Sequence, residues 1–341
     1  MSKLTITYRR VGELDIKLDL SIPPSATADS AALPAVIYFH GGGLLSGSRL
    51  EEDIYFEFWL KESTLRRGLI FIAADYRLAP PSTALDIIDD VKALFSFLAR
   101  PTFSKEHLPN SVSLDATRLA IAGFSGGGYV ARVAGIYAEP KPKAVLSMFG
   151  MGGDFLSDHW LAVKNTYLRF PGAAQITDAS VAHLLDPSIP AVAEATLRVR
   201  SDGMVSDDEN RWCLFMHAWH NGNLLDFVLG QPVSATLRSL PYADRLAAIP
   251  PRLRPAILED HINAAFPPTY LVHGVNDHCV LVSESEKTYQ RLREVGVTAV
   301  LDIVPDADHG LVTSTVPPVP APGSDEAQER GMDFIERELR K

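Results

Sequence analysis

The sequence predicts an α/β protein built on a mostly parallel central sheet. Three observations lead there. From Pro34 onward, short apolar runs alternate with amphipathic stretches, which is the pattern of βαβ units. Pro34–Phe39, Leu119–Ala122 and Thr269–Val272 are brief and predominantly apolar, and Val300–Val304 is apolar but for Asp302, as strands of such a sheet are. Each run is followed by Gly, Ser, Asp or His, the residue types that a parallel sheet gathers at the carboxyl ends of its strands.

The elements follow in order. Residues 14–22 alternate, with Leu14, Ile16, Leu18, Leu20 and Ile22 on one side and Asp15, Lys17, Asp19 and Ser21 on the other, which predicts a half-exposed antiparallel strand. Ala84–Leu98 carries Ile87, Ile88, Val91, Leu94, Phe95 and Leu98 at helical spacing. Ser125 and Asp277 stand 152 residues apart, more than one helix and two strands need, so a mainly helical cap is expected at 150–265, with 1–149 and 266–341 forming the core. Within the cap, Arg211–Gly230 reads as a helix with Trp212, Phe215, Met216 and Trp219 on one face. That stripe is the candidate substrate-binding surface, and packing of the cap onto the core is the competing reading. Ser283–Val295 predicts a helix, Val316–Pro322 a proline-rich link, and Asp325–Arg340 a closing helix capped by Ser324.

The chemistry concentrates at strand ends. Gly123-Phe124-Ser125-Gly126-Gly127 follows Leu119–Ala122 directly. A strand turning abruptly into a helix holds its central residue in a strained backbone with room only for small neighbours, so Ser125 is the expected nucleophile. His40-Gly41-Gly42-Gly43, after Pro34–Phe39, fits a loop whose amides bind an oxyanion; Gly42 and Gly43 are the expected donors with Gly126, and Gly41 remains open. Asp277 follows Thr269–Val272, and His309 follows Val300–Val304. The chain order Ser, Asp, His makes His309 the expected base and Asp277 its orienting acid. His261, His273 and His278 are rival bases, and Asp302, Asp306 and Asp308 rival acids. His217 and His220 have a spacing seen in metal sites, but no Cys, Asp or Glu nearby completes a shell, so no metal is expected.

With these segments in place, the chain resembles the α/β-hydrolase superfamily, and within it the hormone-sensitive-lipase-like branch known as α/β-hydrolase fold 3. Ala74-Asp75-Tyr76-Arg77-Leu78-Ala79-Pro80 is similar to the box that this branch carries between glycine loop and nucleophile, and the resemblance spans residues 35–312. Phe124 and Gly126 stand where the branch usually has Asp or Thr and Ala. Gly43-Leu44-Leu45-x-Gly47-Ser48-Arg49 looks like fungal members, which suggests a role in secondary metabolism. The resemblance implies a serine esterase acting through an acyl enzyme, without cofactor, on a small-molecule carboxylic ester. Acyl transfer, lactone formation or carbon–carbon cleavage on the same triad is the alternative. So is a receptor or pseudoenzyme, as in plant gibberellin receptors that share the branch but lack the base. Asp75 and Arg77 are expected to pair beneath the site, and His40 to orient the glycine loop.

Composition points the same way. A formal charge of −10 and the lack of a basic run disfavour nucleic acid or an anionic membrane surface as partner. Met1–Arg10 has no apolar h-region and no stretch reaches the length of a membrane span, so a cytoplasmic enzyme is expected. Cys213 and Cys279 are too few for a disulfide framework. No repeat resembles a propeller, which disfavours a peptidase, and a homodimer is compatible with the sequence.

Overall fold

In the computed structural model the apolar runs become strands of one sheet. The structure describes residues 3–27, 31–50, 55–109, 112–165, 176–186, 188–199, 205–313 and 319–341. β1 (Lys3–Val11) and β2 (Leu14–Ser21) pair as an antiparallel hairpin. β3 (Leu33–Phe39), β4 (Ile70–Ala74), β5 (Leu114–Phe124), β6 (Ala144–Met148), β7 (Thr269–Gly274) and β8 (Ala299–Val304) run parallel. Across the sheet the order is β1-β2-β4-β3-β5-β6-β7-β8, with β2 antiparallel to β4.

The alternation within each strand divides two cores. Ala35, Ile37 and Phe39 of β3 join the apolar residues of α2 (Ala84–Leu98) and α3 (Gly126–Tyr137), with Leu292 of α5 (Val282–Glu294), on one face. Val36 and Tyr38 point the other way, toward Leu60 and Leu65 of α1 (Tyr55–Arg66) and Met332 and Ile335 of α6 (Ser324–Leu339). Burial on both faces explains why these strands are continuously apolar.

The topology also places the site. After β3 the chain adds β4 on one side, then returns to add β5 on the other. Such a reversal opens a crevice at the carboxyl ends of the two strands flanking it. Phe39 and Gly123 lie in register there, so the segments beginning at His40 and Ser125 emerge side by side. Their contact is tight, because a Cβ on Gly127 would stand 2.1 Å from the Phe39 carbonyl oxygen and 2.6 Å from that of His40.

Between β6 and β7 the described residues form short helices, the longest being α4 (Arg211–His220), and a two-residue ladder of Arg198–Val199 with Val205–Ser206. This segment is fastened to the chain after β3. Gly47 and Ala195 exchange backbone hydrogen bonds of 2.7 and 2.9 Å. Ser46 Oγ donates to Asp207 Oδ2 at 2.9 Å, and Asp207 in turn accepts from the amides of Arg211 and Trp212 that open α4.

Four expectations need correction. The helix expected over 211–230 ends at His220, because Asn221-Gly222-Asn223, with Gly222 at φ 61°, turns the chain before a second helix, Leu224–Leu229. β2 is not half-exposed: it is flanked on both edges, and Asp19 and Ser21 on its polar side are buried. Gly323, not Ser324, precedes α6, and Ser324 Oγ donates instead to the Leu311 carbonyl at 2.7 Å. Asp75 and Arg77 do not pair with each other. Asp75 pairs with Arg49, while Arg77 turns to Asp86 and Asp90. Of the proline-rich link, residues 316–318 lie outside the described residues.

Gly127→Ala forces a methyl against two backbone carbonyls that have no freedom to yield. It is expected to destabilise the protein by about 2 kcal/mol or more, read as a lower urea midpoint with unchanged slope.

Candidate active site

Ser125 links β5 to α3 with φ 52° and ψ −122°, a left-handed backbone that a residue with a side chain adopts only under constraint. The constraint is visible. Ser125 N donates to the Met148 carbonyl at 3.1 Å, and its own carbonyl accepts from Gly128 and Met151, both at 3.0 Å. Its neighbours are buried while Ser125 itself is partly exposed. The hydroxyl is thereby turned out of the packed interior.

The three residues singled out from separate parts of the sequence meet. His309 Nε2 stands 3.0 Å from Ser125 Oγ, and His309 Nδ1 stands 2.8 Å from Asp277 Oδ2. His309 sits in a loop closed by hydrogen bonds from Asp308 N to Val312 O and from Leu311 N to Asp308 O, and Phe149 presents its edge to the imidazole at 4.9 Å. Asp277 lies just past β7. Its Oδ1 accepts from the amides of Cys279 and Val280 at 2.9 and 2.8 Å, which leaves Oδ2 for the histidine.

Electrostatics favour a charged Asp277. Burial works to raise its pKa, but the His309 charge and hydrogen bonds from His273 and His309 outweigh it, so the carboxyl is held well below the usual carboxylate range. His273, fully buried, has Nε2 3.2 Å from Asp277 Oδ2 and 2.8 Å from the Val280 carbonyl, while its Nδ1 meets Ser285 Oγ at 2.7 Å. Both of its ring nitrogens are thus engaged, and it braces Asp277. Its signal in the sequence was the i, i+4 spacing from Asp277 across the end of β7.

The glycine loop lies against α3. The Cβ position of Gly126 is 2.7 Å from Gly43 N and 2.9 Å from Leu44 N, and that of Gly41 is 3.4 Å from Ser125 Cβ. Gly42, at φ 86°, turns the loop and its carbonyl accepts from Leu45 and Ser46. His40 is fully buried, which drives its pKa down to about 3, so it is neutral and its Nδ1 donates to the Gly41 carbonyl at 3.0 Å. Tyr76 stacks on the His40 ring at 4.3 Å and donates its hydroxyl to the His40 carbonyl at 3.0 Å. Sequence reasoning named the box around Tyr76 but gave this tyrosine no part.

The aromatic stripe of α4 divides. Phe215 packs on the loop, its ring 2.2 Å from where a Gly43 Cβ would sit, and stacks with the half-buried Trp212 at 5.3 Å. Met216 and Trp219 are buried in the core cluster, Trp219 beside His159 and Trp160. His217 Nε2 meets Asp178 at 2.7 Å, and among the described residues no group of three or more metal-ligating side chains gathers.

Residues 18–152 match the BD-FAE family, and residues 256–319 match the prolyl oligopeptidase family. The second match covers the segment holding Asp277 and His309. Esterase 2 of Thermogutta terrifontis, in its butyrate-bound structure, superposes with a TM-score of 0.54 at 18% identity, covering 97% of this chain and 92% of that one. The chain has the α/β-hydrolase fold. Among its sequence relatives, a probable carboxylesterase M8 of a Phoma species is 28% identical over 291 residues, 82% of this chain and 80% of the relative. Non-reducing polyketide synthase Preu6 of Preussia isomera is 27% identical over 344 residues, 97% of this chain; the chain spans 14% of that synthase. No helix of the described residues is long and apolar enough to cross a membrane.

Asp277 has a depressed folded-state pKa, so its contribution to stability is present above the ordinary carboxylate pKa of about 4 and is lost as pH falls toward the folded value. Urea unfolding from pH 6 to pH 3 is expected to show a steeper loss of stability for wild type than for Asp277→Asn, with the two curves converging at the acid end.

Proposed function

We propose that the protein is a serine hydrolase of carboxylic esters. The line from Ser125 Oγ through His309 to Asp277, with contacts of 3.0 and 2.8 Å, is the observation that carries the reading. Ser125 Oγ attacks the ester carbonyl and His309 Nε2 takes its proton, while Asp277 fixes the imidazole tautomer and stabilises its charge. The amides of the Gly41–Gly43 loop and of Gly126 surround the developing oxyanion. His309 then returns the proton to the departing alcohol and draws one from water, which releases the acid from the acyl enzyme. No step calls for a cofactor. Phe215 borders the glycine loop from residues 150–265, read as the cap, with Trp212 stacked on it, and the two are the candidate substrate contacts on α4; Met216 and Trp219 serve packing instead.

The relatives support a substrate class. A probable carboxylesterase and a polyketide synthase, both from fungi, favour a small ester or lactone of secondary metabolism as substrate. Similarity to part of a synthase along 97% of this chain favours one second reading, in which the acyl group on Ser125 passes to an alcohol, thiol or ring-closing hydroxyl instead of water. Product analysis with a competing alcohol separates the two.

Ser125→Ala and His309→Ala are each expected to keep the wild-type unfolding midpoint within about 1 kcal/mol and to lower kcat on p-nitrophenyl butyrate by about 10³-fold or more. Turnover retained by purified Ser125→Ala contradicts the assignment.

A further inference from the structure

The acid and the base stand on two loops, and each has a neighbour of the opposite kind. Asp277 is followed by His278, and Asp308 precedes His309. The structure joins both pairs crosswise. While Asp277 meets His309, His278 Nδ1 donates to Asp308 Oδ1 at 2.6 Å, so two His–carboxylate contacts run between the same two loops in opposite senses. The second contact is more than a surface ion pair. Asp308 Oδ1 also accepts the amide of His309 at 2.7 Å and that of His278 at 3.3 Å. One oxygen therefore ties the backbone of the base to the residue beside the acid. The Asp308 side chain is 12% exposed, which limits screening by water.

The rest of the base loop leaves room for such a device. Backbone contacts between the two loops end early, with Val275 N donating to Val304 O and Asn276 N to Ala307 O. The base loop carries Asp306 and Leu311 in the left-handed region, a backbone that a residue with a side chain holds only where the surroundings dictate it, and Gly310 turns the chain between His309 and Leu311. Ser324 Oγ holds the far side through the Leu311 carbonyl. On the near side, the side-chain contacts that reach across at His309 include its own bond to Asp277 and the His278–Asp308 contact.

We propose that His278 and Asp308 form a positioning clasp that sets the reach of His309 to Ser125, an inference that rests on the reading of Ser125, His309 and Asp277 as a catalytic triad. Neither member touches the reacting atoms. The clasp acts by fixing the backbone at His309, where a shift of about 1 Å costs about 10²-fold in rate. The same geometry explains why Asp308, although adjacent to the base, is not the orienting acid: its carboxylate is engaged by His278 and by main-chain amides.

The test measures p-nitrophenyl butyrate kinetics, fluorophosphonate labelling rate and unfolding midpoint for His278→Ala, His278→Asn, Asp308→Ala and the double His278→Ala/Asp308→Ala variant, with Ser125→Ala and His309→Ala in parallel. His278→Ala and Asp308→Ala are each expected to lower kcat and the labelling rate by about 10- to 100-fold with KM within about twofold of wild type. Asparagine places an N–H donor where Nδ1 stands, so His278→Asn should recover most of the lost kcat, and the double variant should be no slower than the slower single one. The proposal is overturned if His278→Ala keeps kcat within about twofold of wild type, or if its loss follows a fallen unfolding midpoint and asparagine restores neither. If Ser125→Ala and His309→Ala still turn over, the catalytic reading itself fails; if they are inactive while His278→Ala is unaffected, only the clasp fails.

Discussion

The left-handed backbone at Ser125 is the constraint on which the rest of the site depends. A φ of 52° on a residue with a side chain costs of order 1–3 kcal/mol and persists only where packing leaves no alternative. Here β5 and α3 supply that packing, because Gly127 meets the Phe39 and His40 carbonyls and the Ser125 peptide is bonded to both Met148 and Met151. Relaxing the turn would pull α3 off β3. The strain that exposes the hydroxyl is thus held by the same contacts that join the glycine loop to the sheet, so Ser125 and the loop are placed by a single packing solution.

A second layer of order comes from buried charge around the glycine loop. Arg49, directly after the loop, pairs with Asp75 and also reaches Asp19 on β2 and Glu194 in the segment between β6 and β7. Burial pushes the Asp75 carboxyl up to about 7 against the pull of Arg49. Removing one partner from such a set strands an uncompensated charge, whereas replacing the whole set with apolar groups of matching shape is often tolerated. Its value here lies in connection. It links the first antiparallel hairpin, the strand-end box and the segment between β6 and β7 to the loop that borders Ser125, while Asp207 couples Ser46 of the loop to the start of α4.

Much of this was legible because it is local. Strand runs, the Gly-rich turn and the position of each polar residue at a strand end depend on periodicity and on nearest neighbours, and β3, β5, β7 and β8 appear within a residue or two of the apolar runs or extend them. What escaped depends on pairing between distant segments. Asp75 and Arg77 are two residues apart and of opposite sign, yet they point to opposite partners, because β4 lies between β2 and β3 and Arg49 arrives from the loop beyond β3. The break of the 211–230 helix is a different case: Asn221-Gly222-Asn223 carries its own turn signal, which the aromatic spacing obscured. That spacing also hid a division of labour, since Phe215 reaches the glycine loop while Trp219, one turn later, is buried against Trp160.

The account stands or falls on whether Ser125 is the activated nucleophile. The most direct measurement is intact-mass analysis with peptide mapping after exposure to diisopropyl fluorophosphate, on wild type and on His309→Ala. The account predicts one adduct on wild type, mapped to Ser125, and its near absence on His309→Ala over the same time. Failure of wild type to form an adduct, or an adduct mapped to another residue, would contradict it.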